Sequence, residues 1–199
     1  GKSTLFDLVT GFEKPDSGDV LFLGKSILGL RPDQINRLGI GRTFQKLKPF
    51  PQMTVEENVM VGLMQHVSQM NEAREEAHRY LEFVGLIDKM SVYAHGLSTG
   101  QRKRLELARA MASRPKLLLL DEVTGGVDQK TVPELVSLVE RLRTEGTTVV
   151  LIEHNMKVLM SLADHVVALH LGQQIAYGRP QEIQAHKQVI ESYLGASYA

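Results

Sequence analysis

Short apolar runs alternate along the chain with stretches whose apolar positions recur three and four residues apart, which predicts an α/β fold. Asp19-Val20-Leu21-Phe22-Leu23, between Gly18 and Gly24, reads as a strand, and Gly41 to Gln45 as a short extended piece. Thr54-Val55-Glu56-Glu57 has the form of a capping box, with the Thr54 hydroxyl and the Glu57 carboxylate each accepting from the other's backbone N–H. A helix to about Met64 should follow. Ala73, Ala77, Tyr80, Leu81 and Val84 put an apolar face on a helix from Met70 to Val84, and Leu105, Ala108 and Met111 do the same for Gln101 to Ala112.

The second half changes character. Lys116 to Asp121 is almost wholly apolar, as a strand of a parallel sheet covered on both faces should be. Thr131 to Glu145 reads as a helix stopped by Gly146, Thr147 to Glu153 as a second buried strand, and Asn155 to Ala163 as a helix. His165 to Leu169 and Gln173 to Tyr177 follow as strands joined at Leu171-Gly172, and two helical pieces close the chain. From about Lys46 to Gly96 there are helical patterns and no clear buried strand. The expected layout is therefore an α/β core over 1–45 and 111–199, with a helical subdomain inserted over 46–110.

Composition narrows the class. At 199 residues the chain can bury a full core without staples, and 43% hydrophobic with 23% charged residues is ordinary for a globular protein. Lys plus Arg and Asp plus Glu both number 23, so the formal net charge is zero, which argues against a dedicated nucleic-acid partner. The basic run Arg102-Lys103-Arg104 accordingly reads as the solvated face of its helix. With no cysteine, disulfides, thiol nucleophiles and Cys-based zinc sites are excluded. No apolar run approaches the roughly 18 residues of a membrane span.

Three strings carry candidate chemistry. Gly1-Lys2-Ser3-Thr4 is the right half of a phosphate loop, in which backbone N–H groups and the Lys ammonium meet phosphates and the Ser hydroxyl meets Mg²⁺. Read plainly, it is a polar terminus. Leu117-Leu118-Leu119-Leu120-Asp121-Glu122 is an apolar strand ending in two carboxylates, placed where α/β sheets bind ligands. Solvated acids at a strand end are the plainer alternative. Leu97-Ser98-Thr99-Gly100-Gln101-Arg102 opens a helix with hydroxyl and backbone donors suited to an anion, or with an ordinary N-cap.

Taken together in their order along the chain, with Gln45 between the first two and His154 at the end of Val149-Val150-Leu151-Ile152, these strings resemble the ATP-binding subunit of ABC transporters. They correspond to its phosphate loop, Q-loop, signature, Walker B strand and switch histidine. Arg42-Thr43-Phe44-Gln45, Met53-Thr54-Val55-Glu56-Glu57-Asn58, Ile152-Glu153-His154-Asn155-Met156 and the tail Val189 to Gly195 resemble the branch that takes up branched-chain amino acids, whose near relatives serve urea and short amides.

The resemblance implies a RecA-like P-loop NTPase core with a mostly parallel sheet. It implies ATP and Mg²⁺, with Gly1, Lys2, Ser3 and Thr4 on the β and γ phosphates, and Ser3, Asp121 and Gln45 at the metal. Glu122 would be the general base, and His154 and Gln45 would complete the catalytic set. Ser98, Gly100, Gln101 and Asp128 would meet nucleotide held by a second, identical or paralogous ATP-binding subunit. Permease subunits would dock on the segment from Thr54 to Gly96 through apolar residues such as Met60, Val61 and Met64, with a periplasmic or extracellular solute-binding protein acting indirectly. The place implied is the cytoplasmic face of the cell membrane, as a peripheral subunit.

Departures are Val123 after Glu122, where most of the family has Pro, and Gly125-Gly126-Val127-Asp128 at the D-loop. The start at Gly1 leads us to expect a fragment cut within the phosphate loop, lacking most N-terminal antiparallel strands and inactive alone. A soluble, non-transport ABC protein and a non-catalytic fragment stay open as alternatives. A GTPase is disfavoured because no Asn is followed by Lys, as its guanine reader requires.

Overall fold

The computed structural model describes residues 1–45 and 49–194. The start of the expected helical subdomain, residues 46–48, and the last five residues, 195–199, lie outside the described residues.

The centre is a parallel sheet of order β3-β4-β5, formed by Ile40–Arg42, Leu117–Asp121 and Thr148–Ile152. The leucine run of β4 is apolar because its two faces enter two cores. Leu118 and Leu120 join a large cluster with Leu105, Leu135 and Leu138, whereas Leu119 joins Phe6, Ile27, Ile35 and Ile40. Complete burial of one such leucine contributes about 1.5–3 kcal/mol.

Around this sheet the helices run α1 (Lys2–Val9), α2 (Pro32–Leu38), α3 (Val55–Leu63), α4 (Met70–Phe83), α5 (Thr99–Ala112), α6 (Val132–Thr144), α7 (Met156–Leu162), α8 (Pro180–Gln184) and α9 (Lys187–Leu194). Helix α2 is absent from the sequence reading, although its signals are present. Pro32 opens it, the Gln34 side chain accepts from the Arg31 N–H at 2.9 Å, and Gly39 ends it at φ 106°. The expected strand 19–23 shrinks to β1 (Leu21–Phe22), which pairs antiparallel with β2 (Lys25–Ser26). The intervening Leu23 and Gly24 both have positive φ, the geometry of a two-residue hairpin turn. The same device at Leu171-Gly172 joins β6 (Val166–His170) to β7 (Gln173–Gly178). Among the described residues this second hairpin forms its own antiparallel sheet, and an apolar cavity of about 670 Å³ lies between β5 and β6.

Helices α3, α4 and α5 pack together, and their core is continuous with β4 and α6. The capping box at Thr54 and Glu57 is present, with bonds of 3.2 and 2.8 Å. Met60, expected on the surface, is buried in this core because the face it occupies turns toward α5, while Met64 is 65% exposed. The basic run also differs from its reading: Lys103 is buried, and Arg104 pairs with Glu134.

Asn58, fully buried on α3, pins the chain leading into that helix. Its amide donates to the carbonyls of Phe50, Met53 and Thr54, and its oxygen accepts from the Phe50 N–H at 2.8 Å. Asn58→Ala strands these groups and should cost about 1–3 kcal/mol. Thermal or urea unfolding will show it as a lowered midpoint; an unchanged midpoint would mean that water replaces the amide.

Candidate active site

Parallel pairing brings the C-terminal ends of β3, β4 and β5 to one edge. Asp121 pairs with Ile152, and the Glu122 N–H donates to the Ile152 carbonyl at 2.9 Å. The backbone then turns through φ 51° at Glu122, and the Gly125 N–H closes the turn onto the Glu122 carbonyl at 3.0 Å. This sends the Glu122 carboxylate between the strands that flank β4. Its Oε1 accepts from Gln45 Nε2 at 3.1 Å and lies 2.8 Å from His154 Nε2. The Glu122 side chain is 21% exposed and that of His154 65% exposed, so the group faces solvent from a fixed base.

Asp121 lies just beneath. Its backbone N–H donates to the Thr43 hydroxyl at 3.1 Å, and its Oδ2 lies 3.5 Å from the Arg42 guanidinium. Burial pushes the Asp121 carboxyl above the usual range; Arg42 opposes this, while Glu122 and Asp7 add to it. Oδ1 is buried and has no donor among the described residues. An unmatched carboxylate oxygen of this kind suits a hard divalent cation. Among the described residues no three His, Cys, Asp or Glu side chains gather to hold a metal by themselves.

The sequence reading quotes Arg42 in a motif but gives it no role. Arg42 bonds Asp7 at 2.6 Å and lies over the rings of Phe6 and Phe44, with centroid distances of 5.5 and 5.0 Å. The signal was available, since an Arg on a short buried strand requires acidic partners. Glu153 likewise has no role in that reading. Its Oε1 accepts from both the N–H and the hydroxyl of Thr124 at 2.8 Å, tying the loop after Glu122 to the end of β5.

The remaining candidates stand apart from this cluster. Among the described residues no hydrogen bond or ion pair joins Lys2 or Ser3 to Asp121 or Glu122. The Lys2 ammonium lies 5.6 Å from the Tyr193 ring centroid, at the cavity between β5 and β6, and Gly1 packs against Gly172. Gly1 is the N-cap of α1, and Ser3 and Thr4 are exposed on its first turn.

Ser98 and Gln101 form a capping box at the start of α5: the Ser98 hydroxyl accepts from the Gln101 N–H at 3.3 Å, and the Gln101 side chain accepts from the Ser98 N–H at 3.0 Å. Gly100 is needed for close approach, since a Cβ there would lie 2.8 Å from the Thr131 methyl. Asp128 binds the Thr131 hydroxyl and the N–H groups of Thr131 and Lys130, and the Thr131 bonds hold its carboxyl below the usual range. Ser98, Gly100 and Gln101 line a small polar cavity of about 250 Å³ with Lys89, Arg104 and Thr131. The chain thus presents two separate groups, one at the strand ends and one at the start of α5.

Comparison with known proteins agrees with this geometry. Residues 1–125 match the ABC transporter family, and residues 173–199 match the branched-chain amino acid ATP-binding cassette transporter family. The chain is 38% identical to the high-affinity branched-chain amino acid transport ATP-binding protein BraF of Pseudomonas aeruginosa, and 36% identical to LivG of Escherichia coli K12. Both alignments cover 98% of this chain and 83% of the relative. A crystal structure of an ABC transporter cassette in its ADP conformation superposes with a TM-score of 0.86 at 32% identity, covering 98% of this chain and 84% of that one. A dimeric cassette in a post-hydrolysis state with ADP and Pi gives 0.81 at 27% identity, covering 90% and 81%. The strand-edge carboxylates, the capped signature helix and these likenesses along nearly the whole chain have one reading: it belongs to the ATP-binding family of ABC transporters and is homologous to the ATP-binding subunits of branched-chain amino acid importers.

Proposed function

We propose that this chain binds Mg-ATP and hydrolyses it to drive an importer of branched-chain amino acids or related small solutes. In this reading it works as a head-to-tail pair with a second ATP-binding subunit, docked on permease subunits at the cytoplasmic face of the membrane. The observation that carries the reading is the Glu122 carboxylate, held by Gln45 and His154 beside the unmatched Asp121 oxygen. The solute class rests on the names of the relatives.

Each residue has a distinct task. Glu122 accepts the proton of the attacking water. Gln45 and His154 fix its free rotation, and their N–H groups are the ones that can turn toward that water and the terminal phosphate. Ser3, Gln45 and, through water, Asp121 would hold Mg²⁺, which would supply neutralising charge at the phosphate oxygens. Lys2 and the backbone of Gly1 to Thr4 take the β and γ phosphates. The contact of Lys2 with Tyr193 is worth about 0.5–1 kcal/mol at an exposed site, against about 1.5–3 for a hydrogen bond to a charged group, so phosphate wins the ammonium. Ser98, Gly100 and Gln101, with Asp128 bracing α6 beside them, meet the γ phosphate bound by the partner.

In the complete natural protein, Glu122→Gln should keep ATP binding and lower hydrolysis by about 10²–10⁴, because an amide cannot take the proton. It should also trap the ATP-bound pair; an ATPase assay with sizing in ATP reads both effects, and near wild-type turnover would remove the assignment. Ser98→Arg should leave ATP binding by the monomer intact and abolish turnover, since the cation blocks closure of the pair. Loss of monomer affinity would instead place Ser98 in its own chain's site.

Met53, Met64, Phe50 and Tyr93 are exposed on the helical segment and offer the permease an apolar surface. The chain has no cysteine, so a single Cys reports cleanly. Met53→Cys and Met64→Cys should cross-link to the permease and Gln181→Cys should not; the reverse pattern would move the docking surface to the tail.

A further inference from the structure

Lys103 carries a charge where a helix in a core should be apolar. It is 4% exposed, and its ammonium donates to the Glu122 backbone carbonyl at 2.7 Å. One turn along α5, the buried Glu106 accepts the Phe44 N–H at 3.0 Å, at the residue before Gln45. A single rigid helix therefore grips the backbone of Glu122 and the backbone leading to Gln45, the amide that holds the Glu122 carboxylate.

The grip matters because of the Glu122 backbone. At φ 51° a residue with a Cβ is in the sparsely populated left-handed region, which persists only where surrounding bonds enforce it. Three bonds do so here: the Glu122 N–H to Ile152, and the two donors on its carbonyl, Gly125 N–H and Lys103 Nζ. Of these only Lys103 comes from outside the strands and the turn. Releasing it removes one of the two donors on that carbonyl and weakens the hold on the left-handed backbone that aims the carboxylate at Gln45 and His154. Burial pushes the Glu106 carboxyl up and Asp121 adds to this, while the Phe44 N–H, Lys103 and Arg109 draw it down.

We propose that Lys103 and Glu106 are positioning residues that lock Glu122 and Gln45 to the signature helix. Through them, engagement of the α5 start by the partner's nucleotide sets the geometry of this chain's own hydrolytic site. This rests on the reading of Glu122 as base and of Ser98 as the partner's contact.

The test uses the natural protein assembled with its permease, comparing wild type with Lys103→Met, Lys103→Arg, Glu106→Leu and Glu122→Gln. Turnover, the KM for ATP, ATP affinity without hydrolysis and the unfolding midpoint are measured for each. Lys103→Met should lower kcat by about 10²-fold, the scale of a misplaced catalytic group, with KM and ATP affinity within about twofold. Lys103→Arg, which restores a donor, should recover most of the turnover, and Glu106→Leu should lower kcat in the same way. A lowered midpoint with wild-type kcat per folded molecule would overturn the proposal, as would a Lys103→Arg no better than Lys103→Met. If Lys103→Met does not fold, Lys103→Gln carries the same comparison. Wild-type turnover in Glu122→Gln would overturn the reading of the base itself. An inactive Glu122→Gln beside a fully active Lys103→Met would overturn the positioning role alone.

Discussion

The register of β4 against β5 fixes everything at the site. Asp121 opposite Ile152, with the Glu122 N–H donating to the Ile152 carbonyl, puts one acid in the core and the next at the surface. Side chains alternate along a strand, so a slip of one residue would exchange them. The slip is prevented by the leucines. Leu118 and Leu120 must face the helical core while Leu119 faces Phe6 and Ile35, and these cores differ in size and shape. Packing on two sides, remote from the chemistry, thus decides which carboxylate is buried.

Burying Asp121 creates an electrostatic problem that the neighbouring strand relieves in part. Arg42, one strand away, supplies positive charge at 3.5 Å, but it bonds Asp7 more closely at 2.6 Å. Its flat cation also lies over Phe6 and Phe44, which removes it from water and fixes its plane. The carboxyl of Asp121 still sits above its usual range, and its Oδ1 still lacks a donor. One Arg shared between two acids leaves part of the negative charge unanswered, at the place where a divalent ion would answer it.

The sequence exposed the strands and helices whose signals are local. The leucine strand, the capping box at Thr54, the helices beginning near Met70 and Ser98 and the turn at Leu171-Gly172 all follow from periodicity and capping chemistry. The grouping of Gln45, Glu122 and His154 comes from the resemblance to the ABC family and not from any local pattern; the structure brings the three side chains into contact at the strand ends. Helix α2 had its Pro and Gly signals but is short and half polar, so its period was weak. The sequence reading puts Lys103 in solvent because a basic run on a helix usually is there. That rule assumes one apolar face. Helix α5 instead buries Lys103, Glu106 and Leu107 as well as Leu105, Ala108 and Met111, because it is covered on several sides. No pattern within the helix distinguishes a charge that faces water from one that faces a carbonyl on another strand; only the partner at Glu122 does.

Ser98 admits two readings from sequence, an ordinary cap or an anion contact; the structure shows the cap, and the cap is compatible with the contact. The Ser98 hydroxyl oxygen accepts the Gln101 N–H with a lone pair, and Gln101 returns the bond to the Ser98 backbone. Capping therefore consumes acceptor capacity and leaves the hydroxyl proton to donate. The cap places that hydroxyl beside the N–H groups at the start of α5, whose partial positive charge favours an anion. Gly100 keeps the approach narrow, because any side chain there would meet Thr131. The bond that stabilises the helix thus also places the hydroxyl, and the same helix reaches, through Lys103, to the carbonyl of Glu122.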